Sequence, residues 1–218
     1  MTVQELSHEF DLLYNNLSSN SAPGLNEYEK SRLLTTAQEQ VLSAIIGGED
    51  LPGLDGSDEN RSRLHTLLKD YEAVASVTTT TRELKGIQGV TSYSRFFATP
   101  EDMIQPLYEY VSGVGGCAIT VAPVSHDKIA KRLVNPFSGP TIQPLRLMAG
   151  DMVEIIYKKD FSGYSMRYLR IPKPIILEDL QDGLTINGET KARTSELNPY
   201  LHRSIVLQAV QLARAAWK

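Results

Sequence analysis

The sequence is poor in cysteine, in histidine and in long apolar runs. One cysteine among 218 residues excludes an internal disulfide and the zinc sites that are built from cysteine pairs. No apolar run approaches the ~20 residues needed to cross a bilayer. Near the start, Glu5, Glu9 and Asp11 stand where a signal peptide would have a basic and then an apolar region. We therefore expect a chain without disulfides or a signal peptide, made in a reducing compartment.

Metal ligands in a recognisable spacing are also lacking. The four histidines are His8, His65, His126 and His202, and none has a second histidine at ligand spacing. A calcium loop needs oxygen ligands at alternating positions, and in residues 50–60 that alternation is broken by Pro52 and Leu54. We expect that segment to be a solvated loop, and we expect no metal site and no cofactor.

The acidic and basic residues are unevenly distributed along the chain. The net charge is −4, but residues 1–72 carry 13 acidic and 5 basic side chains, whereas residues 73–218 carry 13 acidic and 17 basic ones. Residues 128–170 hold 8 basic and 3 acidic side chains. Such a split favours head-to-tail packing of identical subunits, although helices rich in glutamate would produce the same numbers. A general nucleic-acid footprint is not indicated, since no basic helix or domain-wide excess of lysine and arginine is present.

Helical periodicity is confined to the two ends of the chain. Apolar residues every three or four positions predict helices over residues 3–17, 26–47 and 57–71, with Asn26 as the cap of the second. The same pattern predicts a helix up to residue 216, with Asn198 as its cap and Pro199 at its first helical position.

The middle of the chain has the composition of strands. Residues 73–96 are rich in β-branched side chains, and residues 116–124 read as a strand of small residues. Thr99 is expected to cap a short helix. Three short runs between residues 142 and 171 predict an antiparallel meander, and the Asn-Gly pair at 187–188 predicts a hairpin.

These elements together predict an α+β fold. We expect a helical bundle built from the N-terminal helices and the C-terminal helix, with a central antiparallel β portion. The predicted segments are a helical part at 1–72, a β-rich part with a short helix at 73–196 and the last helix at 197–218. They are expected to form one structural domain with a β insertion.

One stretch contains reactive residue types side by side. Ser125, His126 and Asp127 follow the single cysteine, Cys117, by a few positions. Adjacent residues of a strand point to opposite faces, so the serine and histidine are not expected to face each other, and a thiol among small apolar residues is usually an inert packing group. The preferred interpretation is structural: the serine or aspartate caps a short helix that ends at Asn135, and the histidine makes a buried or interface hydrogen bond.

The same stretch leads into a basic group. Lys128, Lys131 and Arg132 are expected to form a solvated helix face, with contact to DNA phosphate in a tunnel as the alternative. Two breaker-rich loops, at residues 47–56 and 133–142, are candidates for contacts between subunits.

A second candidate surface lies on the last predicted strand. Arg167 and Arg170 are expected to pair with acidic residues of a neighbouring subunit, because arginine is favoured at interfaces. The alternate positions Tyr164, Met166 and Tyr168 are expected to pack on a helix.

Ordered phrases along the chain carry a family resemblance. They are "EFDLLYNNLSSNSAPGLNEYEKSRLLTTAQEQVL", "TPEDM", "VAPVSHDKIAKRLVNPFSGP", "VEIIYKK", "MRYLRIPKPIILEDL" and "ELNPYLHRSIVLQAVQLARAAWK". Together they are similar to the small virion structural proteins of crAss-like phages that infect gut Bacteroidales. Their general order also resembles the head-to-tail connector proteins of short-tailed phages, the adaptor or tail-tube A type.

The resemblance implies a structural protein rather than an enzyme. It implies a homo-oligomeric ring, usually twelvefold, stacked below the portal with other tail proteins beneath it and with an axial channel for genome passage. It implies a place in the virion after assembly in the host cytoplasm, and it offers no catalytic residues. The alternatives are another ring position in the tail, a small phage-encoded enzyme using Cys117 and His126, and a DNA-binding accessory factor.

Overall fold

The computed structural model describes residues 1–17, 24–47, 64–73 and 94–216. In these ranges the chain forms four α-helices, one short 3₁₀ helix and eight strands. The helices are α1 (Val3–Leu17), α2 (Glu27–Gly47), α3 (Ile129–Val134) and α4 (Pro199–Ala216), and the 3₁₀ helix is His65–Leu67. The strands are β1 (Leu68–Ala73), β2 (Ser94–Ala98), β3 (Met103–Gly113), β4 (Ala118–Thr120), β5 (Ala122–Pro123), β6 (Leu145–Ala149), β7 (Met152–Ile156) and β8 (Phe161–Arg170). The α+β class and the contribution of both chain ends to the helices are confirmed.

The chain divides into two compact units. A helical unit comprises Met1–Leu67 and Pro172–Lys218, and a β unit comprises Leu68–Ile171. Within the described residues, no helix combines the length and the apolar character required to span a bilayer.

The helical unit is built on α4, which packs against both α1 and α2. The predicted caps are present: the Asn26 side chain accepts a hydrogen bond from the Glu29 amide at 2.8 Å, and that of Asn198 accepts one from the Tyr200 amide at 3.2 Å. The caps satisfy amide groups that have no partner inside a helix. The buried stripe of α4 is Leu201, His202, Ile205, Val206, Ala209, Val210 and Ala213.

A polar row on α2 fixes the extended segment that follows β8. The Thr35 hydroxyl donates to the Ile175 carbonyl and accepts from the Ile175 amide, both at 3.1 Å. Ser31 accepts from the Leu177 amide at 3.0 Å. These backbone groups are buried and have no sheet partner of their own, so the hydroxyls of α2 take the place of a neighbouring strand.

The β unit is a sandwich of two four-stranded sheets. The first has the order β1-β8-β3-β4 and is antiparallel. The second has the order β2-β7-β6-β5, with β5 parallel to β6. Side chains from both sheets meet in one core, where the rings of Tyr164 on β8 and Phe97 on β2 lie 5.4 Å apart. The aromatic face of β8 therefore packs on a second sheet and not on a helix, which corrects the prediction.

Three further local predictions are wrong. The sequence predicts a helix over residues 57–71, but from residue 64 the chain forms a turn, a 3₁₀ helix and then β1, because residues 68–73 pair with β8. Residues 57–63 lie outside the described ranges. Thr99 does not cap a helix: its hydroxyl donates to the Asp151 carbonyl at 2.7 Å, and β3 follows. The meander is broken, because β6 pairs with β7 whereas β8 joins the other sheet. In each case a contact with residues distant in the sequence overrides a local preference.

The predicted hairpin at Asn187-Gly188 is confirmed. Ile186 and Glu189 form an isolated antiparallel bridge, and the two residues between them have φ of 49° and 80°. Positive φ at both central positions is the geometry that this dipeptide favours.

Candidate interaction surfaces

The first candidate surface is α3, on the outer face of the second sheet. Ile129 is buried against Leu145, Leu147 and Ile156. The apolar side of this short helix therefore packs on the sheet. The structure gives Lys128 as the residue preceding the helix, with no side-chain cap, so the predicted capping by Ser125 or Asp127 is wrong.

The basic residues of α3 face solvent. Lys128 and Lys131 are exposed and Arg132 is half-buried. Among the described residues, no carboxylate forms an ion pair with Lys131 or Arg132. The helix ends at Asn135, as predicted. Lys131 and Arg132 therefore form a small positive surface whose charges are available to a partner.

The end of α3 and the loop after it present apolar side chains to solvent. Phe137 is 89% exposed, Val134 80% and Ile142 55%. The loop is nevertheless closely packed: Gly139 and Pro140 are buried, and a Cβ added at Gly139 would lie 2.5 Å from the Asn135 carbonyl oxygen. An ordered loop with several exposed apolar side chains is a candidate for a protein interface. The other candidate loop, 47–56, lies outside the described residues except for Gly47.

The second candidate surface is the outer face of the first sheet. The Arg167 guanidinium binds the Asp70 carboxylate through Nε at 2.7 Å and Nη2 at 3.1 Å, across the β1–β8 pair. This pair lowers the pKa of Asp70 and raises that of Arg167, in both cases mainly through the hydrogen bond. Arg167 thus has an acidic partner within its own chain. Arg170, at the end of β8, donates to the Ile171 carbonyl at 3.2 Å.

An open groove of about 470 Å³ runs beside this ion pair. Tyr108 and Tyr110 of β3 line it, with ring centroids 5.8 Å apart, and Tyr108 is half exposed. Glu72 of β1 lines the same groove, and within the described residues it has no ion-pair partner. The groove therefore combines aromatic surface with a carboxylate that is available for pairing.

A buried polar cluster joins the two sheets beneath these surfaces. The Tyr164 hydroxyl donates to Glu109 of β3, and Arg146 Nε of β6 lies 3.0 Å from the other Glu109 oxygen. The Arg146 N–H is not aligned for a hydrogen bond, so this contact is chiefly a charge interaction. Burial raises the pKa of Glu109, while Tyr164 and Arg146 act in the opposite direction. Burial is also the main cause of the raised pKa of Tyr164.

Comparison with known proteins identifies the family. The model of the phage tail ring protein 3/4 family of crAss-like phages matches residues 1–218. The chain is 38% identical to ring protein 3 of Bacteroides phage crAss001 over 225 residues, covering 98% of this chain and 95% of that protein. It is 34% identical to ring protein 4/5 of the same phage over 231 residues, covering 100% of this chain and 94% of that one. The chain belongs to the phage tail ring protein 3/4 family.

Membership of this ring-protein family confirms the resemblance seen in the sequence. The proteins of the family are structural components of the phage virion, and the chain is accordingly a virion ring protein of the crAss-like type.

The reactive residues of this ring protein are not arranged as a catalytic group. Cys117 is exposed at the turn between β3 and β4, so the prediction of a packed thiol is wrong, and its Sγ contacts the Val114 carbonyl at 3.5 Å. His126 Nε2 lies 2.7 Å from the Met148 carbonyl oxygen. Ser125 donates to Asp127, which lowers the pKa of that carboxyl. The histidine thus pairs with a backbone carbonyl and not with a hydroxyl or thiol. In the described residues no cluster of metal-ligating side chains occurs either.

The groove is the feature that sequence reasoning missed. Tyr108 and Tyr110 alternate along β3, and this alternation is a strand signal that was available. Their neighbours Asp70 and Glu72 lie far away in the sequence and reach the groove only because β1 and β3 both pair with β8.

Proposed function

We propose that the chain forms a closed homo-oligomeric ring in the head-to-tail connector of the virion, bridging portal and tail around the genome channel. The observation that carries this proposal is membership of a tail ring protein family along all 218 residues. A ring of identical copies needs two different, complementary surfaces on each copy. Exposed Phe137 and Val134 on one side and the tyrosine groove on the other supply candidates for them.

The proposed ring acts by shape and by complementary interfaces, without chemistry on a substrate. The hydrogen bond of His126 to a backbone carbonyl and the position of Cys117 support a non-enzymatic role, since among the described residues neither side chain contacts a group that would activate it. Twelve copies per ring is the number that the resemblance implies. Non-specific contact with genomic DNA belongs to the same proposal, because a ring around the channel has an inner face near the phosphates.

A lower ring position in the tail is the second candidate. The family description names the tail, and the two relatives from one phage are called ring protein 3 and ring protein 4/5. A chain similar to both is suited to a stack in which several rings share one fold. This candidate keeps the ring and changes only its neighbours.

Electron microscopy of intact particles tests the proposal. Density for the chain in a ring that touches the portal is the expected result, and the number of copies follows from the symmetry of that ring. Density in a ring that touches only tail proteins would favour the second candidate. Particles that lack the chain would refute both, and turnover of a small molecule abolished by Cys117→Ala or His126→Ala would point to an enzyme.

A further inference from the structure

The two candidate surfaces lie on opposite outer faces of the β sandwich. On β8 the side chains of Tyr164 and Met166 point into the core, so Arg167 points outward on the first sheet, next to the groove. On β6 the core side of the strand carries Arg146 and Met148, so Leu145 and Leu147 point outward on the second sheet, where α3 covers them. The sandwich thus separates the groove from α3.

The groove has the chemistry of a site for a cationic side chain. The tyrosine rings offer aromatic faces to a guanidinium or ammonium group, and such contacts are favourable within about 6 Å of a ring centroid. Asp70 is already paired with Arg167, whereas Glu72 has no ion-pair partner among the described residues. Glu72 and Tyr110 lie in one row across Ser165, whereas Tyr108 lies in the row of Arg167. An incoming cation would therefore meet Tyr110 and Glu72.

The segment on the opposite face has the complementary chemistry. Lys131 and Arg132 supply two cations with no carboxylate partner among the residues that the structure describes. Phe137 and Val134 supply apolar area directly after them. Arginine and aromatic residues are the types that protein interfaces favour at their centres. A DNA surface would meet the cations but leave the exposed phenylalanine without an apolar partner.

We propose that α3 and its following loop, residues 128–142, dock into the tyrosine groove of the next copy of this chain. The interface is heterologous, because the donating and receiving surfaces differ, and their opposite positions on one sandwich allow successive copies to continue around a ring. Arg132 or Lys131 enters between Tyr110 and Glu72, and Phe137 packs on the exposed ring of Tyr108. This inference rests on the proposed function, since it assigns the contact that closes the proposed ring.

Charge reversal and its rescue test the pairing. The double variant Lys131→Glu, Arg132→Glu should lower incorporation of the chain into particles by at least about tenfold, since like charges would face each other across the interface. Glu72→Lys should act in the same direction, and combining it with the double variant should restore incorporation. Lys191→Glu, at an exposed position of the helical unit, is the matched control and should have no effect. Circular dichroism of each purified variant checks folding.

Cysteine cross-linking tests the geometry independently of charge. In a Cys117→Ser background, Tyr108→Cys and Phe137→Cys together should give a ladder of disulfide-linked multimers when particles are mildly oxidised. Each single cysteine should give none.

The outcomes separate this inference from the proposed function. Normal incorporation of all charge variants, or double-cysteine particles without a ladder, would overturn the interface while leaving the ring itself intact. A charge-reversal variant of Lys131 and Arg132 that instead forms intact rings, but binds DNA more weakly and with a smaller dependence on salt concentration, would assign α3 to DNA contact. That result would also overturn the proposed interface. Absence of the unaltered chain from particles would refute the proposed function.

Discussion

Replacing Arg146 by methionine should destabilise the β unit through the carboxylate that it leaves behind. Glu109 is 6% exposed and has two partners, the Arg146 guanidinium and the Tyr164 hydroxyl. Arg146→Met keeps most of the side-chain volume but removes the charge. The buried carboxylate then retains a single hydrogen bond, and its charge is no longer compensated.

The expected loss is about 3 kcal/mol in the free energy of unfolding at pH 7. Breaking a buried ion pair by removing one partner costs about 3–5 kcal/mol, and the lower end applies because the Tyr164 hydroxyl remains and the Arg146 side chain is 13% exposed. In a protein of this size, about 3 kcal/mol corresponds to a decrease of about 6–12 °C in Tm. The double variant Glu109→Gln, Arg146→Met should lose less, because no uncompensated charge remains.

The dependence on pH supplies a second readout. Removing Arg146 raises the pKa of Glu109 further. As the pH falls from 7, Glu109 therefore takes up a proton in the folded protein before it does so in the unfolded chain, and this uptake stabilises the folded state. The deficit of Arg146→Met should therefore shrink as the pH falls from 7 towards 5. Urea unfolding at both pH values measures it, and amide hydrogen exchange in β3 and β8 localises it. Equal losses of stability at the two pH values would refute this account. It would also be refuted if the double variant lost as much stability as Arg146→Met and Glu109→Gln lose together when each is made alone.

Three further changes should alter stability through named contacts. Thr35→Val should lower the free energy of unfolding, measured by thermal denaturation, by about 1–3 kcal/mol, because the buried amide and carbonyl of Ile175 lose their partner. Thr36→Val, at the exposed neighbouring position, should lower it less. Gly139→Ala should increase proteolysis of the loop after α3, because the added Cβ would meet a backbone oxygen at 2.5 Å. Gly24→Ala is the control, because a Cβ added there meets no non-adjacent atom of the described residues within 4 Å. Burial lowers the pKa of His202 from 6.5, so unfolding takes up a proton and stability should fall as the pH drops below about 6.5; His202→Gln should flatten that dependence.

Sequence patterns predicted those parts of the fold that depend on neighbouring residues. The cap at Asn26, the stripe of α4 and the turn at Asn187 are determined within a few positions of the chain, and all three are present. The predictions for Thr99 and for the segment after residue 64 are wrong because the partners are distant in the sequence: Thr99 binds the turn at Asp151, and residues 68–73 pair with β8. A capping pattern does not reveal that a hydroxyl will bind a turn some fifty residues later.

One candidate surface likewise depends on neighbouring residues, and the other depends on strands that are distant in the sequence. The exposure of Lys131 and of the loop after α3 follows from a short helix with one apolar side, which the sequence shows directly. The groove depends on strand order: Glu72 reaches Tyr110 only because each pairs with Ser165 on β8. Strand order is a property of the whole sheet, so no window of the sequence contains it.

In the ring that we propose, the buried polar cluster and the outer surfaces have linked roles. Each copy would receive one neighbour on the first sheet and contact the other through α3 on the second, so the relative position of the sheets sets the angle between successive neighbours. An angular deviation in one copy is repeated in every copy and accumulates around the ring, and closure therefore requires a sandwich that does not shear. Apolar packing is non-directional, so it does not by itself prevent one sheet from sliding over the other. The contact of Arg146 with Glu109, which joins one sheet to the other, opposes that sliding because its charges must stay in register.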